Sequence, residues 1–513
     1  MIRPTLFSLV ALFAVTAAVN TSTSLAEEQT NPWLNYYTIE DIAIPKGVDP
    51  QISGLEALKN GTIAASFHDG NLLILDPKTL DWSKYATGLH EPLGIKEDKT
   101  GALVVAQMAE LTRLVDEDSD GQADLYQTLS EDFGITGNYH EFAFGPAMDS
   151  KGNMFISLNV ASNHAGIFQE IRGPYNQLCP PQEEMKKWHD KEAFKKTGQS
   201  AGRMFSCAPY RGWILKITPE GETIPYASGL RSPNGIHIDK QDRLWVTDNQ
   251  GDWIGTSPLH LVEEGDFLGH PASLLWKKGW SKKAIEIVPS DLEAMRKPAV
   301  ALFPQGELAN SPTQPINTID PEKFGLPEGE LIIGDMNQNN LIRFIPDEVK
   351  GTMQGTVLPF INGDELGIGN NRFTFTDDGS LWVGKMYYRW AGDIGIKKIS
   401  WNKKPFLYIK KVSQVKNGLA IEFSQPMPEL LPEILVSRHT YHYHSQYGSE
   451  KVDLTTVPVV TKSLDKTNTI LTVTFNELTE NRLYTVEINH AKDRKNRPLM
   501  GDLFWYNLVK RKY

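Results

Sequence analysis

The sequence predicts an all-β protein: a six-bladed β-propeller followed by a C-terminal Ig-like β-sandwich. A short unit, made of a polar turn and an alternating apolar strand, occurs six times between residues 59 and 384. Alternation with a period of two after a glycine turn is typical of a strand. The unit stops near residue 403, and the strands that follow alternate differently. A propeller with an appended sandwich accounts for both observations.

The six units are spaced as propeller blades with insertions would be, roughly every 40–90 residues. We therefore expect one blade for each unit and assign residues 33–402 to the propeller. An irregular sandwich with coincidental turns is the alternative. The units are 59–66, 98–105, 149–156, 239–246, 327–334 and 377–384.

The C-terminal segment, residues 403–513, is assigned to the sandwich. Its apolar residues alternate in 419–423, 470–475 and 483–488, with polar turns between them. A length of roughly 100 residues is usual for such a module. We expect it to act as a spacer or a contact and assign no catalysis to it.

Residues 1–26 have the features of a secretory signal peptide. Arg3 supplies a positive charge, an apolar run extends from Leu6 to Val19, and Ala26 ends a small-residue cleavage site. A membrane anchor is the alternative, but the apolar run is shorter than a bilayer requires. We therefore expect a secreted or periplasmic protein with no membrane span.

Composition excludes several classes of function. The 513 residues carry a formal net charge of −11, which argues against a nucleic-acid partner because such partners select basic surfaces. Two cysteines, Cys179 and Cys207, are expected to form a disulfide in an oxidising compartment. No CxxCH sequence occurs, which excludes a covalently attached haem.

Residues 229–271 carry the densest group of side chains suited to chemistry. Arg231 and Asn234 lie in the turn Gly-Leu-Arg-Ser-Pro-Asn-Gly, which precedes a short strand. The loop after that strand contains Asp248, Gln250 and Asp252. Loops at strand ends are where a rigid β scaffold presents functional groups. Oxygen-bearing side chains beside glycine are also ligands for a hard cation such as calcium.

A histidine precedes the third unit. His140 stands in Asn-Tyr-His-Glu-Phe-Ala-Phe-Gly-Pro. An imidazole titrates near neutral pH, so it suits abstraction of a proton from a sugar hydroxyl. A surface or capping histidine is the alternative.

These segments resemble the glucose/sorbosone dehydrogenase family, quinoprotein β-propellers that oxidise sugars. The resemblance covers residues 35–402. It implies that His140 is the general base and that Arg231 stabilises negative charge as hydride leaves the substrate for the quinone. It also implies a calcium ion beneath the quinone, held by Asp248, Gln250 and Asp252.

The resemblance further implies which residues hold pyrroloquinoline quinone (PQQ), with two departures. Asn234 and Arg372 match cofactor-binding positions, but Asn337 stands where the family has an anchoring lysine. After the third strand, where the family has an aspartate, this chain reads Ser157 to His164 without one. A tricarboxylate needs several cations, so the missing lysine weakens the case for PQQ.

A second acidic run has the spacing of a calcium loop. Asp116, Asp118, Asp120 and Asp124 occupy positions one, three, five and nine. Gln127 replaces the bidentate glutamate of an EF-hand at position twelve, so a complete EF-hand is not expected. Like charges in one tight loop repel each other unless a metal binds, which predicts a structural calcium here. A solvated acidic turn is the alternative.

The leading hypothesis is an exported oxidoreductase that takes hydride from a sugar or alcohol, with a small molecule or oligosaccharide as substrate. Because the chain has no haem, electrons must pass to an external acceptor. The second hypothesis is a metal-dependent carbohydrate hydrolase or lyase. The third hypothesis is a non-catalytic, carbohydrate-binding propeller whose stacking platforms are Trp253, Tyr387, Tyr388 and Trp390.

Overall fold

The computed structural model describes residues 31–162, 172–179, 204–388 and 391–513. The predicted signal peptide, residues 1–26, and the charged insertion between the two cysteines, residues 181–201, lie outside this part of the chain. Within it, no helix has the length and apolar character to cross a bilayer.

The recurring turn predicted from the sequence connects the first and second strands of a sheet. In three of the six turns, an aspartate accepts backbone N–H groups two and four residues further along the chain. Asp98 accepts from Thr100 and Ala102 at 2.7 and 3.1 Å. Asp149 and Asp239 repeat this arrangement in later sheets. Such an aspartate fixes the tight turn and, with it, the register of the hairpin.

Six four-stranded antiparallel blades form the propeller, five as separate sheets and one as part of an eight-stranded sheet, which confirms the predicted fold class. Blade 1 contains β2 (Ile52–Ala57), β3 (Ile63–Phe67), β4 (Leu72–Leu75) and β5 (Trp82–Ala86). Blade 2 contains β6 (Ile95–Glu97), β7 (Leu103–Ala106), β8 (Leu111–Val115) and β9 (Leu125–Ser130). Blade 3 contains β10 (Ala143–Met148), β11 (Met154–Leu158), β12 (Trp213–Ile217) and β13 (Thr223–Ser228).

The remaining blades follow the same order along the chain. Blade 4 contains β14 (Gly235–Ile238), β15 (Leu244–Thr247), β16 (Ser257–Val262) and β17 (Ala301–Phe303). Blade 5 contains β18 (Pro312–Asn317), β19 (Leu331–Asp335), β20 (Asn340–Val349) and β21 (Thr352–Asn362). Blade 6 contains β22 (Asn370–Phe375), β23 (Leu381–Tyr388), β24 (Ala391–Trp401) and, from the start of the chain, β1 (Tyr37–Ile42).

The strand β1 closes the propeller. It pairs with β24 in an antiparallel register that places Tyr37 opposite Trp401 and Ile42 opposite Ile396. Blade 6 therefore joins the two ends of the propeller segment. The ring of Tyr37 is almost fully buried and its hydroxyl donates to the carbonyl of Phe324 at 2.9 Å.

The C-terminal residues form two packed sheets. One has the order β29-β30-β26-β25-β32, and in the other β33, β31, β27 and β28 are adjacent. Their bounds are β25 (Leu407–Val415), β26 (Gly418–Phe423), β27 (Glu433–Tyr441), β28 (Lys451–Thr456), β29 (Thr461–Leu464), β30 (Ile470–Thr474), β31 (Arg482–Asn489), β32 (Leu499–Met500) and β33 (Leu503–Leu508).

Blade 5 and the sandwich share one sheet. The outer strand of the blade, β21, pairs with β33, with Val357 opposite Trp505, so the sheet continues through eight strands. Ile345 and Leu358 of blade 5 belong to the apolar core of the sandwich. The C-terminal segment is therefore joined to the propeller by backbone hydrogen bonds as well as by packing.

The helices described are short and lie in loops. Cys179 and Cys207 form the predicted disulfide, and both are buried in an apolar cluster with Met204 and Phe205. The helices are the 3-10 helices Pro32–Asn35, Pro271–Trp276 and Ala284–Glu286, with α1 (Pro289–Leu292) and α2 (Pro321–Phe324).

Candidate functional site

A cavity of about 640 Å³ lies where all six blades converge. In each blade the first and second strands are antiparallel, so the first strand begins at the same end of the blade at which the second strand ends. Residues just before the first strand and just after the second strand line the cavity. In blade 4 they are Ser232 and Asn234 before β14 and Asn249 after β15.

His140 lines this cavity, and its ring is oriented by backbone groups. Its Nδ1 lies 2.8 Å from the carbonyl oxygen of Val160, which can only accept, so Nδ1 carries the proton. In the neutral ring Nε2 is therefore the acceptor, and it lies 3.2 Å from the hydroxyl of Ser232. The backbone N–H of His140 donates to Asn138 Oδ1 at 3.0 Å. This tautomer is the one a general base requires.

Asp248 holds Ser232 in place. Its carboxylate accepts the backbone N–H groups of Arg231 and Ser232 at 2.8 and 2.7 Å, and that of Asn249 at 2.7 Å. Burial raises the pKa of Asp248 to about 6, against these hydrogen bonds, which lower it. The carboxylate thus organises the turn next to His140.

Arg231 faces away from the cavity, although its turn lines it. Its guanidinium contacts the sulfur of Met204 and lies 5.1 Å from the centroid of the Tyr447 ring. A Cβ on Gly251 would come within 1.9 Å of Arg231 Nε, so only glycine permits this packing. His140 lines the cavity, whereas Arg231 is not among the described residues that line it.

The other predicted calcium ligands in this loop also have protein partners. Asp252 is buried and accepts the backbone N–H of Met204 at 2.7 Å. The side-chain amide of Gln250 donates to the carbonyl of Gly255 at 3.2 Å. The loop is thus fixed by internal hydrogen bonds.

Two of the three predicted cofactor residues, Asn234 and Arg372, are in contact with each other. Asn234 lines the cavity, and its Oδ1 accepts from Arg372 at 3.1 Å. Arg372 is buried near the axis and also donates to the carbonyls of Ser53 and Leu93. Asn337 is not among the residues that line the cavity, and its backbone N–H donates to Asp335 at 2.7 Å.

The second acidic run forms a compact loop between β8 and β9. One oxygen from each of Asp116, Asp118 and Asp120 lies within 4.8 Å of the others, close enough to share a metal ion. Asp124 instead accepts the backbone N–H of Glu117 at 2.8 Å. Asp116 Oδ1 has no hydrogen-bond partner in the described structure.

Three amide oxygens of the cavity were not identified from the sequence as ligands. Gln51 Oε1, Asn159 Oδ1 and Asn249 Oδ1 are buried without a hydrogen-bond donor in the described part of the chain. A buried acceptor without a donor is costly, so these oxygens favour a ligand that carries several donors. Sugar hydroxyls meet that requirement.

Two histidines of the cavity were also missed. His68 and His90 line it together with His140 and with Tyr387, which the sequence analysis named as a stacking platform. A positional signal exists for His68, which follows β3 immediately, as Asn159 follows β11. Tyr387 is 48% exposed, whereas the proposed stacking residue Trp253 is buried. The side chains of Tyr388 and Trp390 lie outside the described residues.

The lining, as far as the structure describes it, does not fit the tricarboxylate PQQ. No lysine or arginine occurs among the described residues that line the cavity, whereas Glu91 and Glu141 do line it. Arg372 donates to protein oxygens, and Lys385 does likewise, to the carbonyl of Ile368 at 2.6 Å. Three carboxylates without fixed cations would be poorly neutralised here.

Comparisons with known proteins give structural similarity alone. No family model matches the chain, and no curated protein sequence matches it. Among solved structures, it is similar to a putative oxidoreductase (glucose dehydrogenase) from Thermus thermophilus, with 16% identity, a TM-score of 0.47, and coverage of 71% of this chain and 99% of the other.

Two further similar structures have printed names that include PQQ. One is the PQQ-bound form of an aldose sugar dehydrogenase from Streptomyces coelicolor, with 16% identity, a TM-score of 0.45, and coverage of 71% and 98%. The other is the PQQ domain of pyranose dehydrogenase from Coprinopsis cinerea, with 12% identity, a TM-score of 0.48, and coverage of 71% and 95%. The fold assignment rests on the sheets described above.

Proposed function

We propose that this protein is an oxidoreductase of the sugar dehydrogenase type, in which the central cavity binds a sugar or related polyol. The cavity offers unpaired amide oxygens at Gln51, Asn159 and Asn249 for the hydroxyl groups of such a ligand. Its volume of about 640 Å³ is within the range of small-molecule sites. The disulfide supports export to an oxidising compartment.

The observation that carries the proposal is the contact between His140 Nδ1 and the Val160 carbonyl at 2.8 Å. Because Nδ1 donates to Val160, Nε2 of the neutral ring carries no proton and can accept one from a substrate hydroxyl. Ser232 fixes the position of Nε2, and Asp248 fixes Ser232 through its backbone N–H. The base is thus held by two neighbouring blades.

Oxidation of an alcohol removes a proton from oxygen and a hydride from carbon. His140 accounts for the proton, and the hydride passes to a separate two-electron acceptor of the quinone class. A quinone is the acceptor that the resemblance of the sequence implies. We assign no residues of the cavity to hold it, and calcium is proposed only at Asp116, Asp118 and Asp120 as a structural ion.

The test is sugar-dependent reduction of a redox dye by the purified mature chain. Aldoses and polyols are supplied with PQQ and calcium in one series and with a soluble uncharged quinone in another. His140→Asn should lower the rate about 10²–10⁴-fold, as expected for loss of a general base. His490→Asn is the matched control, because His490 is exposed on a turn of the sandwich. We expect its rate to equal that of the wild type.

Absence of dye reduction with every acceptor would rule out the oxidoreductase. A carbohydrate-binding propeller is then the second candidate, favoured by the same three unpaired amide oxygens. Titration calorimetry with the same sugars separates the two: heat of binding without dye reduction supports binding alone. Binding that weakens in Asn159→Leu would place the sugar in the cavity.

A further inference from the structure

A second cavity, of about 160 Å³, lies between blade 4 and the C-terminal sandwich. Trp253 and His260 of blade 4 line one side, and Asn507 of β33 lines the other. Arg296, which follows α1, and Asn481 also line it and are exposed, so the cavity is reached from solvent. It is distinct from the cavity around His140, with which it shares no lining residue.

Three buried donors in this cavity have no acceptor. Trp253 Nε1, Asn507 Nδ2 and both ring nitrogens of His260 lack hydrogen-bond partners in the described structure. The three residues are 2%, 4% and 3% exposed. Asn507 Oδ1 accepts the backbone N–H of Leu302 at 2.8 Å, which leaves Nδ2 as the end without a partner. Each neutral imidazole carries one N–H, so His260 supplies a third donor.

The backbone of Trp253 indicates that this tryptophan is held in place. Its φ is 65°, a left-handed value that is unfavourable for a bulky side chain. Its backbone N–H donates to the carbonyl of His444, in the sandwich, at 3.0 Å. Trp253, which lines the cavity, is therefore a strained residue that both parts of the molecule constrain.

The charge of the cavity is positive, which suits an anionic ligand. The Arg296 guanidinium lies 4.0 Å from the centroid of the Tyr443 ring and forms no ion pair in the described part of the chain. Lys297, by contrast, is neutralised by Glu263 and Asp266 at 2.6 and 2.8 Å. Burial, with Lys297 and Arg296 nearby, lowers the pKa of His260 to about 3, so this ring is neutral at physiological pH.

We propose that this cavity is a binding site for a small carboxylate or a comparable oxyanion, held by Arg296 and by the N–H groups of Trp253, His260 and Asn507. Neutral donors around one unpaired guanidinium suit a ligand with several acceptor oxygens and a single negative charge. The volume corresponds to roughly five water molecules, so the ligand has few heavy atoms. Such a ligand would join blade 4 to the sandwich.

Sodium acetate and sodium phosphate are the probes, with sodium chloride at equal ionic strength as the reference. We expect a saturable rise in the melting temperature of the full chain and a dissociation constant by calorimetry. Arg296→Gln should raise that constant at least tenfold, and Trp253→Phe, which keeps a ring but loses the N–H, should also raise it. Lys466→Gln removes one charge from an exposed turn of the sandwich and should leave it unchanged.

The relative response to the two probes identifies the anion. Acetate binding supports a carboxylate, and phosphate binding alone supports an inorganic oxyanion. An equal response of the wild type and Arg296→Gln would overturn the proposal. So would the absence of any saturable response, which would mean that the cavity holds water only. These outcomes are independent of dye reduction, so they do not depend on the proposed oxidation.

Discussion

Two buried aspartates have the same role in neighbouring blades. Asp248 follows β15 and Asp335 ends β19, and each accepts backbone N–H groups of the turn before the first strand of its own blade. Burial raises the pKa of each to about 6. These side chains determine where the cavity-lining residues Ser232 and Ser311 lie, so the geometry of the site depends on residues that do not contact its ligand.

These aspartates should make stability depend on pH. Because their native pKa is raised, the native state binds protons near pH 5 that the unfolded chain does not. The stabilisation is fully present below about pH 4 and is lost as the pH rises through about 6. A shift of about 2 units corresponds to about 3 kcal/mol for each group at most.

The measurement is urea unfolding of the wild type and Asp335→Asn at pH 5 and pH 7. We expect the free energy of unfolding to fall less between these two pH values in the variant than in the wild type. Equal falls in both proteins would show that Asp335 does not titrate in this range.

A buried ion pair in blade 5 gives a second prediction. Arg343 donates to Glu330 at 2.8 and 2.9 Å, both side chains are nearly inaccessible, and Arg343 also donates to the carbonyl of Ile409 in the sandwich. Glu330→Gln leaves the guanidinium without its counter-ion, so we expect a loss of about 3–5 kcal/mol in the free energy of unfolding. Denaturant titration at pH 8 measures it.

The control is Glu328→Gln, two residues away. Glu328 pairs with Lys240 in solvent, where both side chains are more than half exposed. Such a pair contributes at most about 1 kcal/mol. Similar losses in the two variants would contradict the assigned role of burial.

At the scale of elements, the sequence predicted local structure better than pairing between distant segments. Each of the six repeated units corresponds to the hairpin turn and second strand of one blade, because turn chemistry and alternation are local signals. The pairing of β1 with β24 and of β21 with β33 joins distant segments, and no local pattern specifies it. Both contacts were therefore missed.

The difference between local signals and contacts of distant segments also explains which features of the site the sequence located. His140 was found because its segment precedes a strand, and the structure places it in the cavity. The orientation of Arg231 depends on Tyr447 and Met204, which belong to other segments of the chain. A motif therefore located the turn but did not determine the direction of its side chain.

The loop between β8 and β9 gives an element-scale prediction. If Asp116, Asp118 and Asp120 share calcium, millimolar CaCl₂ should raise the melting temperature, because binding to the native state alone stabilises it. The double variant Asp118→Asn, Asp120→Asn should lose that response. Magnesium chloride is the control for ionic strength. Identical calcium responses in the wild type and the double variant would exclude this loop as the site.

At the scale of the whole molecule, the sandwich is part of the propeller's structure. Its loop near residue 447 lies over the segment that follows β15: Gly448 donates to the carbonyl of Gly251 at 3.0 Å, and Trp253 donates to that of His444 at 3.0 Å. This segment begins with Asp248, which positions the turn next to His140. The C-terminal residues thus contact and stabilise the surroundings of the cavity.

A chain ending at residue 402 should therefore fail to give a soluble monomer. Its β21 would present an unpaired edge, and Ile345 and Leu358 would lose the apolar core they share with the sandwich. Exposed edges and apolar surface promote aggregation. Size-exclusion chromatography of the soluble fraction is the measurement, with the full chain as reference. The same truncation with Ile345→Lys and Leu358→Lys should recover soluble protein, because both side chains pack into the sandwich core in the full chain and a charge on the surface left by its removal opposes association. A truncated chain that is monomeric without these lysines would show that the propeller is independent of the sandwich.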